Sequence, residues 1–223
     1  NMKTVVVRSI SGVLFVAIML AGLLINDKLF GLLLSVMTVI MLLEYFQIPR
    51  VAGQKPSTLY YIAGPAYILL AMFLLHVLAY WHGSFSGKLP LCFFILIWSS
   101  DVGAYCVGSV LGKKSKKLAP TISPNKSWAG FWGGMVFSLI AAYVLARTSM
   151  LDLSIWAALA LGLVVHCTGV LGDLAESAWK RHFGVKDSGN VIPGHGGFLD
   201  RFDSSLAAIP CGTLLLQILK LIG

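Results

Sequence analysis

Apolar residues along this chain come in long blocks separated by short polar stretches. The blocks fall at roughly 5–25, 29–47, 59–81, 89–110, 127–147, 154–176 and 204–222. A helix needs about 20 mainly apolar residues to cross a bilayer, so each block predicts one membrane-spanning helix. Polar connections fall at 26–28, 48–58, 82–88, 111–126, 147–152 and 178–203. No heptad, tandem repeat or low-complexity tract interrupts the pattern. The expected fold is all-α: a polytopic integral membrane protein of about seven transmembrane helices, forming one domain over residues 2–223.

Composition narrows the class. The 223 residues are 57% hydrophobic, with a mean hydropathy of +0.84. Only 12% are charged, against about 25% in ordinary soluble domains. One soluble core could not hide so much apolar surface. The net charge of +8 does not point to nucleic acid, because the lysines lie in short loops between apolar runs rather than on a polar face. The cysteines, Cys92, Cys106, Cys167 and Cys211, sit in apolar stretches without a CxxC or Cys/His pattern, so they read as free thiols.

Lysine and arginine placement predicts orientation. The N-terminal stretch and the connections at 48–58, 111–126 and 178–203 hold 13 Lys and Arg residues, and the remaining segments hold four. That asymmetry places the N-terminus and both long polar loops in the cytoplasm. A polar active site is expected to face the same side.

Acidic residues in or beside apolar spans are costly and mark function or pairing. Asp101 lies within the fourth block, and Asp173 and Glu176 lie at the end of the sixth. The i, i+3 spacing of Asp173 and Glu176 puts both carboxylates on one helix face, which Lys180 continues at i+7. Asp200 and Asp203 repeat the spacing at the start of the seventh block. Mg²⁺ favours oxygen ligands, and paired metal ions stabilise attacking and leaving oxygens in nucleotidyl displacement. Asp173, Asp200 and Asp203 are therefore candidate ligands for one or two metal ions. Asp101 should face a polar cavity rather than lipid. Glu44 and His166, alone in their spans, are expected to make structural pairings.

Two further segments suit phosphate. Lys113, Lys114, Lys116, Lys117 and Lys126 put five lysines in fourteen residues, and Ser123, Lys126 and Ser127 lead into the fifth block. A helix N-terminus there adds its dipole to an anion site. Pro193-Gly194-His195-Gly196-Gly197 lets backbone approach a phosphate closely. No Walker A pattern is present.

Taken together, Ser177-x2-Lys180-Arg181-x4-Lys186-Asp187-x-Gly189-x3-Pro193-x-His195-Gly196-Gly197-x2-Asp200-Arg201-x-Asp203 resembles the signature of the phosphatidate cytidylyltransferases, the CDP-diacylglycerol synthases. The likeness continues through Gly172-Asp173-x2-Glu176-Ser177, Ser123-Pro124-x-Lys126-Ser127-Trp128 and Asp101-x2-Ala104-Tyr105-x2-Gly108. It covers roughly 98–210 and leaves 2–97 as N-terminal spans alike only in being apolar. The chain departs from the family pattern at Ala129, usually Glu, and at Asn125, often Lys.

The resemblance implies a bacterial inner-membrane nucleotidyltransferase that makes CDP-diacylglycerol and pyrophosphate from CTP and phosphatidate with Mg²⁺. It implies catalytic roles for Asp173, Asp200, Asp203, Lys180 and His195. It implies substrate contacts for Ser123, Lys126, Ser127, Arg181, Lys186, Gly196, Gly197 and Arg201. Asp101 and Glu176 would support the metal carboxylates. Partners would be CTP, phosphatidate and membrane lipids, with homodimerisation left open. The alternatives are a CTP-dependent lipid-alcohol kinase, a cytidylyltransferase for another lipid and, more remotely, a cation-coupled transporter. A transporter would not need a 27-residue polar motif, and no inverted repeat of broken helices is visible.

Overall fold

The computed structural model describes the backbone of residues 2–189, 191 and 196–222, and the side chains of 11–189, 191 and 196–220. Among the described residues there are seven helices: α1 (Met2–Leu24), α2 (Asp27–Val51), α3 (Thr58–Ala79), α4 (Lys88–Leu111), α5 (Trp128–Arg147), α6 (Ile155–His182) and α7 (Leu199–Ile222). Among the described residues, α2 to α7 are long and apolar enough to cross a membrane. In α1 the described apolar part is Ser11–Leu24. This is the all-α architecture of an integral membrane protein that the apolar blocks predict.

The elements differ from the sequence pattern at three places. The 111–126 connection contains a two-stranded antiparallel hairpin, β1 (Lys117–Ala119) and β2 (Ser123–Ser127), paired Lys117 to Ser127 and Ala119 to Ser123. Helix α6 runs on to His182, and its last turn holds Lys180, Arg181 and His182. Cations suit the negative end of a helix dipole, so this charged turn stays helical. Helix α7 begins at Leu199, which brings Asp200 and Asp203 inside the helix rather than before it. Acidic side chains there suit the positive end.

Two compact units are distinguished. One comprises the chain up to Gly87 together with Trp179–Asp203. Its buried core includes Phe30, Met41, Ile68, Leu75 and Phe202. Stacked rings reinforce it: Tyr45 lies on Tyr60 at 4.4 Å and on Trp179 at 5.0 Å. Each tyrosine hydroxyl donates to the other's backbone carbonyl, at 3.0 and 2.8 Å.

The second unit comprises Lys88–Ala178 and Ser204–Gly223. Phe93, Phe94, Leu161 and Ile209 are fully buried in it. Here α4 and α5 pack through small residues, as membrane helices often do. A Cβ added at Gly103 would lie 2.7 Å from the Gly133 carbonyl oxygen, and one at Gly133 would lie 2.9 Å from that of Gly103. Only glycine allows the two backbones this close. The approach continues at Gly130, beside Ala104 and Gly108, and there it shapes a cavity.

Candidate functional site

In the second unit, β2 feeds directly into α5. The Ser127 side chain caps that helix by accepting from Gly130 N at 3.2 Å. Ser115 Oγ accepts from Ala129 N at 3.0 Å, and Trp128 N donates to the Lys116 carbonyl at 3.0 Å. These bonds pin the lysine-bearing hairpin to the N-terminus of α5. Ser127 accepts through its oxygen, so its O–H remains able to donate to an anion.

Beside this helix start lies a cavity of about 270 Å³ lined by Asp101, Asn125, Lys126, Ser127 and Asp173, with Ser100 and Ser204. Three elements supply its charges: α4 gives Asp101, β2 gives Lys126 and α6 gives Asp173. Lys126 Nζ is ion-paired with Asp173 Oδ2, and their side chains are 25% and 28% exposed. Asp173 Oδ1 also accepts from Ser177 Oγ at 3.3 Å. A part-exposed pair is held by modest energy, so either partner can turn to a ligand without stranding a buried charge. Ser100 Oγ is 2.8 Å from Nδ1 of the buried His166, which supplies the pairing expected for that histidine.

The first unit holds another polar cluster. Lys180 Nζ lies 2.5 Å from Asp200 Oδ1, with only 10% and 7% of the two side chains exposed. Asp200 Oδ2 accepts from Ser188 N at 2.9 Å and from Gly197 N at 2.8 Å. Glu44 also finds partners here, accepting from Ser188 Oγ and from the backbone of Phe198 and Leu199. Arg181 Nη1 donates to the Val185 carbonyl at 3.3 Å. A second cavity of about 410 Å³ is lined by Glu44, Gln47, Lys186, Asp187, Ser188 and Gly189.

Backbone geometry explains two of the motif glycines. Gly196 has φ +81, a left-handed conformation that disfavours side chains. A Cβ on Gly197 would lie 2.0 Å from Ser188 Oγ and 2.7 Å from Gly189 N. Gly197→Ala is expected to force the segment apart and destabilise the protein by about 1–3 kcal/mol. The measurement is the thermal unfolding midpoint in detergent; an unchanged midpoint would refute the close approach.

The expected site residues therefore fall into two groups. Asp101, Lys126, Ser127 and Asp173 line one cavity in the second unit. Lys180, Asp200 and Gly197 are joined in the first unit, where Lys186 lines the other cavity. Ser123 opens β2, and Glu176 lies in α6. Arg201 and Asp203 lie in α7, in the same unit as Asp200. His195, with Pro193 and Gly194, lies outside the described residues. Among the described residues, no three His, Cys, Asp or Glu side chains are gathered as a ready metal cage. Sequence reasoning did not single out Ser100 or Ser204, which adjoin Asp101 and Asp203, as cavity residues. It also did not foresee that Glu44 holds the motif segment.

Comparison with known proteins adds relatives to this geometry. A family model described as "Cytidylyltransferase family" matches residues 66–219. A protein of Staphylococcus epidermidis named phosphatidate cytidylyltransferase is 48% identical over 123 residues, covering 55% of this chain and 46% of that protein. Proteins of the same name from Staphylococcus haemolyticus and Staphylococcus aureus are 49% and 47% identical, with the same coverage. The matched stretch thus spans about half the length of these relatives.

Proposed function

The chain belongs to the cytidylyltransferase family, and on that premise we propose that it transfers the cytidylyl group of CTP to phosphatidate, forming CDP-diacylglycerol and pyrophosphate for phospholipid synthesis. The observation that carries this reading is the cavity in which Asp101, Lys126, Ser127 and Asp173 meet at the start of α5. All four lie within the stretch matched by the family.

The chemistry asks for alignment and charge neutralisation more than for acid–base work. A phosphate oxygen of phosphatidate attacks the α-phosphorus of CTP. The bond from that phosphorus to the β-phosphate's bridging oxygen breaks, and pyrophosphate leaves. Lys126 would exchange its bond to Asp173 for a phosphate oxygen, and Ser127 and Ser123 would donate from their hydroxyls. The N-terminus of α5 adds favourable partial charge. On the strength of the family motif, Lys180, Arg181, Lys186, Arg201 and the backbone at Gly196 and Gly197 are further candidates for phosphate contacts. His195 takes a substrate contact on the strength of the family motif alone.

The oxygen donors fit Mg²⁺, which commonly uses one or two protein carboxylates and takes its other ligands from phosphates and water. Asp173 and Asp101 are the carboxylates of the cavity; Asp200 and Asp203, with Glu176, are the further acids the family motif implicates. Bound there, Mg²⁺ would neutralise charge on the phosphates. Asp200 already accepts from three donors, so its first task is to hold Lys180 and the glycine segment. The lysine and arginine asymmetry supports a cytoplasm-facing site with the N-terminus inside, and the bacterial relatives support an inner-membrane location.

Turnover tests this reading. Purified protein in detergent micelles, given CTP and phosphatidate, is expected to release pyrophosphate and to form lipid-linked cytidine in equal amounts. Chelation of Mg²⁺ should stop both. Release of CDP in place of pyrophosphate would identify a lipid kinase and overturn the proposal.

A further inference from the structure

The Glu44 carboxylate is 3% exposed, lies in α2 and sits outside the stretch matched by the family. Three donors converge on its two oxygens. Phe198 N donates to Oε1 at 2.7 Å, Leu199 N to Oε2 at 2.7 Å and Ser188 Oγ to Oε2 at 3.0 Å. All three donors belong to the segment that carries the signature. Phe198 N and Leu199 N are at the very start of α7, whose own turn leaves them unpaired. A carboxylate there also meets the positive end of the helix dipole.

The glycines of the segment fit around this side chain. An added Cβ would lie 2.8 Å from Glu44 Oε1 at Gly189, and 2.7 Å from Oε2 at Gly197. The backbone on both flanks, Ser188–Gly189 and Gly197–Leu199, thus closes directly onto one carboxylate. Lys186 and Asp187 immediately precede that anchor and line the same cavity as Glu44.

We propose that Glu44 is a positioning residue for the cytidylyl-transfer site: it caps α7 from another helix and fixes both flanks of the glycine segment, thereby setting where Lys186 and the Gly196–Gly197 backbone stand. This rests on the function proposed above. The carboxylate is required as an acceptor, because Ser188 Oγ, Phe198 N and Leu199 N all donate to it. Glutamine fills the same space but turns an –NH₂ toward one of these donors. Aspartate keeps the charge and loses one methylene.

The experiment compares Glu44→Asp, Glu44→Gln and Glu44→Ala, purified in detergent, by amide hydrogen exchange and by turnover of CTP with phosphatidate. In Ala, exchange at both Phe198 and Leu199 should rise about tenfold or more, the loss of a hydrogen bond to a charged group, and in Gln it should rise at one of the two. Exchange in α4 and α5 should not change. Turnover should fall about a hundredfold in Gln and Ala, as displacement of a reacting geometry by an ångström can do, and Asp should retain more turnover than Gln. A role in filling space predicts the reverse order. Unchanged exchange at Phe198 and Leu199 in the alanine variant, or turnover in Gln equal to or above that in Asp, would overturn the proposal. A wild-type protein without turnover would overturn the proposed function instead, and the exchange result would still decide whether Glu44 holds the segment.

Discussion

Asp173→Asn is expected to abolish turnover in a protein that still folds. The two halves of that expectation have separate grounds. Folding survives because the Lys126–Asp173 pair is part-exposed, at 25% and 28% of the side chains. Such pairs contribute at most about 1 kcal/mol, and Lys126 keeps access to the cavity when its partner is neutral. Turnover is lost because the proposed reaction brings a triphosphate and a lipid phosphate together, and their charge must be neutralised where it develops. Removing a carboxylate that would organise metal there forfeits several kcal/mol, and about 4 kcal/mol corresponds to a thousandfold in rate.

The check is pyrophosphate release by gel-filtered Asp173→Asn in micelles, beside wild type. An activity within tenfold of wild type refutes the role assigned to Asp173. A variant that elutes only as aggregate refutes the claim that the pair is energetically minor. Cavity placement sharpens the comparison, since Asp101 lines the same cavity from α4.

Much of this arrangement could be read in one dimension. Apolar length alone predicts the helices, because the bilayer sets a fixed number of residues per span. Asp101, Lys126 and Asp173 stood out because charge is rare in and beside these spans. Their meeting in one cavity is a property of the folded unit. Hydropathy alone places the helix ends short because it stops at charge, although lysine, arginine and glutamate are good helix formers; the spacing of Asp173, Glu176 and Lys180 already carries the sixth helix past its apolar block. That is why α6 reaches His182 and why Asp200 lies inside α7. The hairpin escaped for the opposite reason. Its strand Ser-Pro-Asn-Lys-Ser has no β-branched or aromatic residue and no alternation to announce it. Glu44 was visible as a lone acid in a span, but its partners lie 144 to 155 residues away, a separation that no local pattern encodes.

The largest effect on stability is expected at Asp200. Its carboxylate holds Lys180 at 2.5 Å, Ser188 N at 2.9 Å and Gly197 N at 2.8 Å. With the Lys180 and Asp200 side chains only 10% and 7% exposed, Asp200→Ala takes a carboxylate away from a buried ammonium and two amides. Breaking a buried pair from one side costs about 3–5 kcal/mol. In a chain of this size that lowers the unfolding midpoint by on the order of 10 °C. Lys180→Met should do less harm, because Asp200 keeps both amide donors and an apolar chain fills the lysine's path. The double variant Lys180→Met/Asp200→Leu should recover part of the stability lost in Asp200→Ala, since the buried ammonium that Asp200 neutralises is removed with it. Turnover should stay absent in all three, because the proposed phosphate-holding cation is either gone or no longer held. Thermal unfolding in detergent, read beside pyrophosphate release, separates the two effects. If the double variant is no more stable than Asp200→Ala, the loss of the carboxylate from the ammonium is not the main effect, and the two backbone amides carry it instead.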